Sequence, residues 1–276
     1  MKNNLPFTNP LPEIKTAIDA VLKAGDAVLE IYNQDFSVSK KENNEPITEA
    51  DIKSNNIIKK TLLSLGYPIL SEESPDELEK RLEQKKVWII DPLDGTTDFI
   101  NKTGEFTIMI ALVEKYKPIL GVIFNPSKKE LYIAQKGGGA FRSSKDKDWI
   151  KIQVSTKTQL DLCKVVGSRF HQSESERKFL DYLHIQNFTS RGSSLKVVDI
   201  SSGIADIYFT TTDKIKQWDT CASYCLATEA GGIMTDIFGN DLNYNTESIN
   251  HKNGILVTNG LIHQQIIEKY NQFVKK

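Results

Sequence analysis

The run Trp88-Ile-Ile-Asp-Pro-Leu-Asp-Gly-Thr-Thr97 joins three apolar residues to two aspartates, a proline and a glycine. Val87-Trp-Ile-Ile90 reads as a short buried strand that ends abruptly in an Asp-Pro turn. The turn that Pro92 enforces can point the Asp91 and Asp94 carboxylates and the Leu93 carbonyl toward one spot. Three oxygens so placed suit a hard cation such as Mg²⁺ better than they suit zinc. Taken alone, residues 91–95 are as readily a surface turn built from turn-forming residues.

Working outward, residues 106–114, 119–124 and 130–134 read as consecutive antiparallel strands, the first pair joined by a Lys-Tyr-Lys-Pro turn. Gly137-Gly-Gly-Ala-Phe141 lacks the GxGxxG pattern with a following helix, so its glycines are expected to serve a turn and not a dinucleotide. Upstream, positions 14, 17, 18, 21, 22, 25, 28, 29 and 32 follow a helical stripe, with Pro12 where a first turn tolerates it. A polar, mobile-looking stretch (40–45) precedes Thr48-Glu-Ala-Asp51, which has capping-box form and opens a second helix carrying Ile57, Ile58, Leu62 and Leu63. Pro68-Ile-Leu-Ser leads into Glu72-Glu73. After a charged stretch at 146–150, short strands alternate with helices over 164–168, 173–183, 193–203, 205–209 and 218–230. The expected division is an α+β half over 1–151 carrying most candidate metal ligands, and an α/β half over 152–276. There is no repeat or low-complexity tract.

Of 276 residues, 39% are hydrophobic and 26% charged, with 16 Gly and 9 Pro, which excludes a disordered or collagen-like chain. With 35 basic and 36 acidic residues the formal charge is −1, so no global positive field gathers nucleic acid or anionic lipid. The longest apolar run, Phe106 to Val113, falls far short of the roughly 18 residues of a membrane span. The start Met1-Lys-Asn-Asn-Leu-Pro-Phe7 lacks a secretory layout. Cys163, Cys221 and Cys225 are an odd set without CxxC spacing, which argues against disulfides and zinc and favours a cytoplasmic location. Peripheral association with the inner membrane is left open. Cys221 and Cys225, four apart on a helix, read as small buried apolar residues.

Two further acidic segments, Ser71-Glu72-Glu73 and Trp218-Asp219, adjoin residues that should be buried, and buried carboxylates are costly unless paired or bound to metal. Asp219 is also a candidate helix N-cap, and Asp51 the third-position acid of its capping box. The four segments Thr48-Glu-Ala-Asp51, Ser71-Glu-Glu73, Asp91-Pro-Leu-Asp-Gly-Thr96 and Trp218-Asp219 occur in the order seen in the inositol monophosphatase superfamily. The chain resembles that family over nearly its whole length, from Ala24-Gly25 through Glu229-Ala-Gly-Gly232 to Gly254-Ile-Leu-Val-Thr-Asn-Gly260. Four motifs in register are far more specific than one.

The resemblance implies an α+β fold, a five-layer α-β-α-β-α sandwich in which a half with an antiparallel sheet packs on an α/β half. It also implies that Glu72, Asp91, the Leu93 carbonyl, Asp94 and Asp219 hold two or three Mg²⁺ ions at the junction. Asp51 and Thr96 would orient a water activated near Glu72 for in-line attack on a phosphate ester, without a covalent intermediate. Backbone N–H groups of Gly95 and Thr96 would grip the phosphate. Sensitivity to Li⁺ is a further implication of the family.

Within the superfamily, Gly192-Ser-Ser-Leu-Lys196 resembles the branch of 3′(2′),5′-bisphosphate nucleotidases. A lysine there can pair with a second phosphate, and Ser193 and Ser194 can donate to it. Apart from the resemblance, Gly-Ser-Ser reads more readily as a helix cap. Inositol monophosphatases usually carry a glutamate seven residues before the helix aspartate, where this chain has Thr212. Gly104-Glu-Phe-Thr107 and Pro118-Ile-Leu-Gly-Val-Ile123 also resemble bacterial nucleotidases of sulfate assimilation. The implied substrate is adenosine 3′,5′-bisphosphate, bound by Asp94, Gly95, Thr96, Gly192, Ser193, Ser194, Lys196 and Asp219, with AMP and phosphate as products. Arg169 and His171 follow Gly167-Ser168 in a segment that lies near the nucleotide in related enzymes. A lone loop histidine is more often exposed than catalytic, and His171 is kept out of the catalytic set. An inositol or sugar phosphatase, and a non-catalytic nucleotide-binding protein, are the competing readings. The sequence does not set the oligomeric state.

Overall fold

The computed structural model describes residues 4–42, 44–144, 148–170 and 172–275. His171 and most of the charged stretch after residue 144 lie outside them. The chain opens with α1 (Ile14–Tyr32), a hairpin of β1 (Val38–Lys40) and β2 (Pro46–Thr48), and α2 (Glu49–Leu62). Next come β3 (Ile69–Ser71), α3 (Leu78–Leu82), β4 (Lys86–Asp94) and α4 (Thr96–Ile100). A meander follows: β5 (Thr107–Glu114), β6 (Lys117–Asn125), β7 (Glu130–Gln135), β8 (Gly139–Ser144) and β9 (Ile150–Ile152). The remainder is β10 (Val165–Ser168), α5 (Glu174–Tyr182), β11 (Phe188–Arg191), α6 (Leu195–Ser201), β12 (Ile207–Thr210), α7 (Gln217–Glu229), β13 (Ile233–Thr235), β14 (Ile255–Thr258) and α8 (His263–Phe273).

Strands β3 to β9 form a seven-stranded sheet in sequence order, antiparallel except for the parallel pair β3/β4. The second sheet runs β11-β10-β12-β14-β13 and is mixed, because β14 lies antiparallel to both β12 and β13. Period-two alternation sorts the core. Trp88, Ile90, Ile108, Ile110 and Leu112 face α1 and α2, whereas Ile89, Met109, Ala111 and Val113 face α6 and α7. The opposite faces of α6 and α7 meet the five-stranded sheet, whose far side carries Val165, Ile207, Phe209 and Leu256 against α5 and α8. The order is therefore helices, sheet, helices, sheet, helices, the expected five layers.

Several expected elements are adjusted. Of the stretch at 40–45, Lys40 ends β1 and Lys41, Glu42, Asn44 and Glu45 lie between it and β2, in a hairpin whose strands are too brief to show periodicity. In α1 the buried face also takes in Ala20, Ala24, Ala27 and Ile31. Leu63, assigned to the apolar face of α2, is exposed just beyond the helix end. The anticipated turn at Pro92 is instead a continuation of β4 through a bulge between Asp91 and Asp94.

Helix α7 crosses β6 at Gly121, where an added Cβ would stand 2.6 Å from the Ala222 carbonyl oxygen and 2.9 Å from Cys225 Cβ. Cys221 and Cys225 are buried in this contact as unpaired thiols. Gly121→Ala is expected to cost about 1–3 kcal/mol by overpacking, read from the denaturation midpoint; an unchanged midpoint would mean that α7 tolerates displacement from the sheet.

Candidate active site

The parallel register pairs Ser71 with Ile90, so Glu72, just past the end of β3, stands beside Asp91, which lies in β4 at the start of its bulge. Asp91 shares the Ile89 face of β4, toward α7, and Asp219 lies in the first turn of α7. Carboxylate oxygens of Glu72, Asp91 and Asp219 lie within 4.8 Å of one another. Asp91 is buried, and Glu72 and Asp219 half-buried. Asp219 is not the N-cap: its Oδ2 accepts a 2.7 Å hydrogen bond from the backbone N–H of Lys216 three residues earlier. Asp91 Oδ1 accepts from the Leu93 N–H at 3.1 Å.

Burial raises all three carboxyl pKa values: Glu72 is pushed up to about 7, with repulsion from Glu73 and Asp51 and against the pull of Lys41, and Asp91 and Asp219 go well above the usual range with repulsion from Glu72 and Asp94 added. Lys41, in the β1/β2 connection, donates to Glu72 at 2.6 Å and to Glu73 at 2.5 Å. Among the described residues, no lysine or arginine pairs with Asp91 or Asp219. A converging set of hard oxygen donors without matching positive charge fits a divalent cation such as Mg²⁺.

Asp51, buried at the start of α2, forms the expected capping box: its Oδ2 accepts from the Thr48 N–H at 2.8 Å and the Thr48 hydroxyl at 2.6 Å. Its other oxygen lies 3.0 Å from Thr96 Oγ1, which is also 3.3 Å from the Leu93 carbonyl oxygen. Burial raises the Asp51 pKa against these bonds. Ser54 Oγ donates to the Pro92 carbonyl at 2.6 Å and so fixes the bulge.

Asp94 is not part of the close trio. Its Oδ2 accepts from the Ser194 N–H and, at 3.3 Å, from Thr107 Oγ1, while its charge still raises the pKa of Asp91 and Asp219. Ser194 precedes α6 without a side-chain cap bond, and its hydroxyl instead lies 2.7 Å from Thr107 Oγ1. Of the two serines it is Ser193 whose hydroxyl meets α6, accepting from the Leu195 N–H at 3.4 Å, so Gly-Ser-Ser caps the helix only through this one long bond. Lys196 donates to the Ser193 carbonyl at 2.6 Å and stands 5.3 Å from the Tyr208 ring centroid. Burial lowers its pKa, opposed by the nearby Asp94 charge.

A cleft of about 710 Å³ is lined by Glu72, Asp91, Leu93, Asp94, Gly95, Thr96, Ser193, Ser194, Lys196 and Asp219 together with Lys41, Tyr208 and Thr212. Gly192 is buried behind the wall. Two lining residues carry no signal in the sequence: Lys41 lies in a polar connection, and Tyr208 in an apolar run that reads as core. Arg81 carries none either; it is fully buried and bound to Asp76, Asn245 and the Thr246 carbonyl, tying the segment after Glu72 to the one that holds Gln217. Arg169 is held by Asp98 and Glu105.

Residues 10–275 match the model of the inositol monophosphatase family. This chain belongs to the inositol monophosphatase family. It is 36% identical over 227 residues to the 3′(2′),5′-bisphosphate nucleotidase CysQ of Salmonella typhimurium, covering 80% of this chain and 89% of that one. It is 38% identical over 229 residues to CysQ of Buchnera aphidicola, covering 82% and 84%. Among solved structures, CysQ from Bacteroides thetaiotaomicron superposes with a TM-score of 0.76 at 32% identity, covering 88% of this chain and 96% of that one. The Thermotoga maritima IMPase gives 0.82 at 26% identity, covering 96% and 99%. As a family member the chain carries the acidic cluster in which a metal ion could bind. No helix among the described residues is long and apolar enough to cross a membrane.

A carboxyl whose pKa is raised on folding binds more protons folded than unfolded, so stability is present at low pH and is lost as pH rises. For Glu72 the window runs from its ordinary 4.5 to about 7. Metal-free protein is expected to lose thermal stability from pH 5 to 8, and Mg²⁺ should raise the midpoint more at pH 8 than at pH 5. Equal Mg²⁺ shifts at both pH values would show that the trio does not receive the ion.

Proposed function

We propose that this family member is a Mg²⁺-dependent phosphomonoesterase that hydrolyses adenosine 3′,5′-bisphosphate to AMP and phosphate. The observation that carries the reading is the placing of the Glu72, Asp91 and Asp219 carboxylates in one cleft with Lys196. The CysQ relatives, nucleotidases by name, support the substrate.

Glu72, Asp91, the Leu93 carbonyl, Asp94 and Asp219 would hold the ions, two or three in number. When bound, Mg²⁺ supplies an acidified water and neutralises charge on the phosphate and the departing oxygen. The chain's own groups do the rest. Thr96 Oγ1, donating to Asp51 Oδ1, keeps its lone pairs free to accept a hydrogen bond from the attacking water and so orient it. The raised pKa of Asp51 makes its carboxylate a better resting place for a proton drawn through that contact. Gly95 and Thr96 border the position of the scissile phosphate. Ser193 and Ser194 form the wall with Gly192 buried behind it, and the Lys196 ammonium meets the second phosphate, a charge that a monophosphate lacks. At the position of the inositol-binding glutamate, Thr212 brings no acid to repel that phosphate.

The three buried free thiols suit a reducing cytoplasm, and the nucleotidase reading places the reaction in sulfate assimilation, with Li⁺ inhibition as an expected property. Phosphate release with Mg²⁺, measured in parallel on adenosine 3′,5′-bisphosphate and inositol 1-phosphate, tests the reading. Strong preference for the nucleotide is expected; preference for inositol phosphate would assign the protein to the sister activity, and no turnover of either would favour a binding protein. Lys196→Ala should lower kcat/KM about 10–100-fold more on the bisphosphate than on adenosine 3′-monophosphate, the worth of one charge-assisted contact. Equal losses would deny Lys196 a selective role. Asp94→Asn should abolish Mg²⁺-dependent turnover in a folded protein, and full activity would remove Asp94 from the ion site.

A further inference from the structure

Behind the wall stands a charged cluster that no part of the chemistry above uses. Glu105, just ahead of β5, accepts from the Gly192 N–H at 2.8 Å through Oε2 and from Arg191 Nη1 at 2.8 Å through Oε1. Arg169 Nη2 also reaches Oε2 at 2.8 Å, and its other terminal nitrogen pairs with Asp98 at 3.0 Å. Arg191 continues to Asp199 of α6 at 3.0 Å. Three carboxylates and two guanidinium groups thus interlock α4, the loop ahead of β5, the β10 exit, β11 and α6. Burial opposes ionisation of Glu105, but the Gly192 bond and the two arginines hold its carboxyl below the usual range.

The cluster closes on a strained stretch. Gly192 is so tightly backed that an added Cβ would lie 2.6 Å from both Asp98 Oδ2 and the Glu105 carbonyl oxygen. The next residue, Ser193, has φ of +50°, left-handed for a residue with a side chain. Such a conformation costs about 1 kcal/mol or more and persists only where its surroundings impose it. The Ser193 carbonyl is the acceptor for Lys196 Nζ, and the following N–H is bound by Asp94. The ammonium is therefore aimed by a carbonyl whose place depends on the Glu105 contact one residue earlier.

We infer that Glu105 is a positioning residue that sets selectivity for bisphosphates by fixing the Gly192–Ser193 backbone to which Lys196 is anchored. Its selectivity arm rests on the proposed nucleotidase reading; its structural arm does not. The test uses the full-length protein with Glu105→Ala and Glu105→Gln, each checked for a retained thermal transition. Amide exchange of residues 191–196 is expected to accelerate at least tenfold in Glu105→Ala and less in Glu105→Gln, which can still accept from Gly192 N–H. The ratio of kcat/KM for adenosine 3′,5′-bisphosphate over adenosine 3′-monophosphate should fall about tenfold in Glu105→Ala, through KM for the bisphosphate more than through kcat. In a Lys196→Ala background the same substitution should leave that ratio unchanged.

Unchanged exchange at 191–196 in a folded Glu105→Ala protein overturns the inference. So does accelerated exchange with an unaltered ratio, or a ratio that falls equally without Lys196. If the wild type shows no preference for the bisphosphate, the nucleotidase reading and the selectivity role fail. Unchanged exchange would add that Glu105 does not order the wall either.

Discussion

Three carboxylates from residues 72, 91 and 219 are held within 4.8 Å of one another, and much of the fold is arranged around that enforced proximity. At this spacing and an effective dielectric constant of about 20, each pair of ionised groups repels by about 3–4 kcal/mol. The cost has to be met by packing elsewhere or relieved by a proton or a cation. The parallel β3/β4 pair brings Glu72 beside Asp91, and the seat of α7 on Gly121 brings Asp219 to them. The buried Arg81 couples the segment following Glu72 to the loop that orders the start of α7 through Asn245 and Gln217. Lys41 offsets part of the charge from the β1/β2 hairpin.

The second organising element is the junction between the seven-stranded sheet and the loop before α6. Asp94 and Thr107 of the sheet bind Ser194, and Glu105 binds Gly192. These contacts put the Lys196 ammonium next to Asp94 with the Tyr208 ring beneath it. An acid patch that favours a cation and an ammonium that favours an anion thus share one cleft. In the proposed reaction a polyanionic ester would satisfy both together, with metal on one phosphate and lysine on the other.

Much of this was legible in the sequence because it depends on local signals. Alternation in 106–134 gives a meander, the Thr48-Glu-Ala-Asp51 box is observed atom for atom, and the acids stand out against apolar flanks. Less legible were features set by tertiary partners. Pro92 reads as a turn former, but pairing of β4 with β5 converts it into a bulge, so Asp91 and Asp94 take up different partners. Lys41 sits in a stretch whose strands are three residues long, below any periodic signal. Asp219 needs its helix placed before it can be told from an N-cap. Glu105, Arg169 and Arg191 are distant in sequence and carry no spacing pattern, so only the fold brings them together.

An ion site and a strained structural knot make opposite predictions for the Glu72, Asp91 and Asp219 cluster. Direct titration of the metal-free protein with Mn²⁺, followed by electron paramagnetic resonance of the free ion, separates them most plainly. Stoichiometric binding that Mg²⁺ displaces and that Asp91→Asn severely weakens is expected. Absence of Mn²⁺ binding to a folded wild-type protein near pH 8, or binding indifferent to Asp91→Asn, would contradict the ion site.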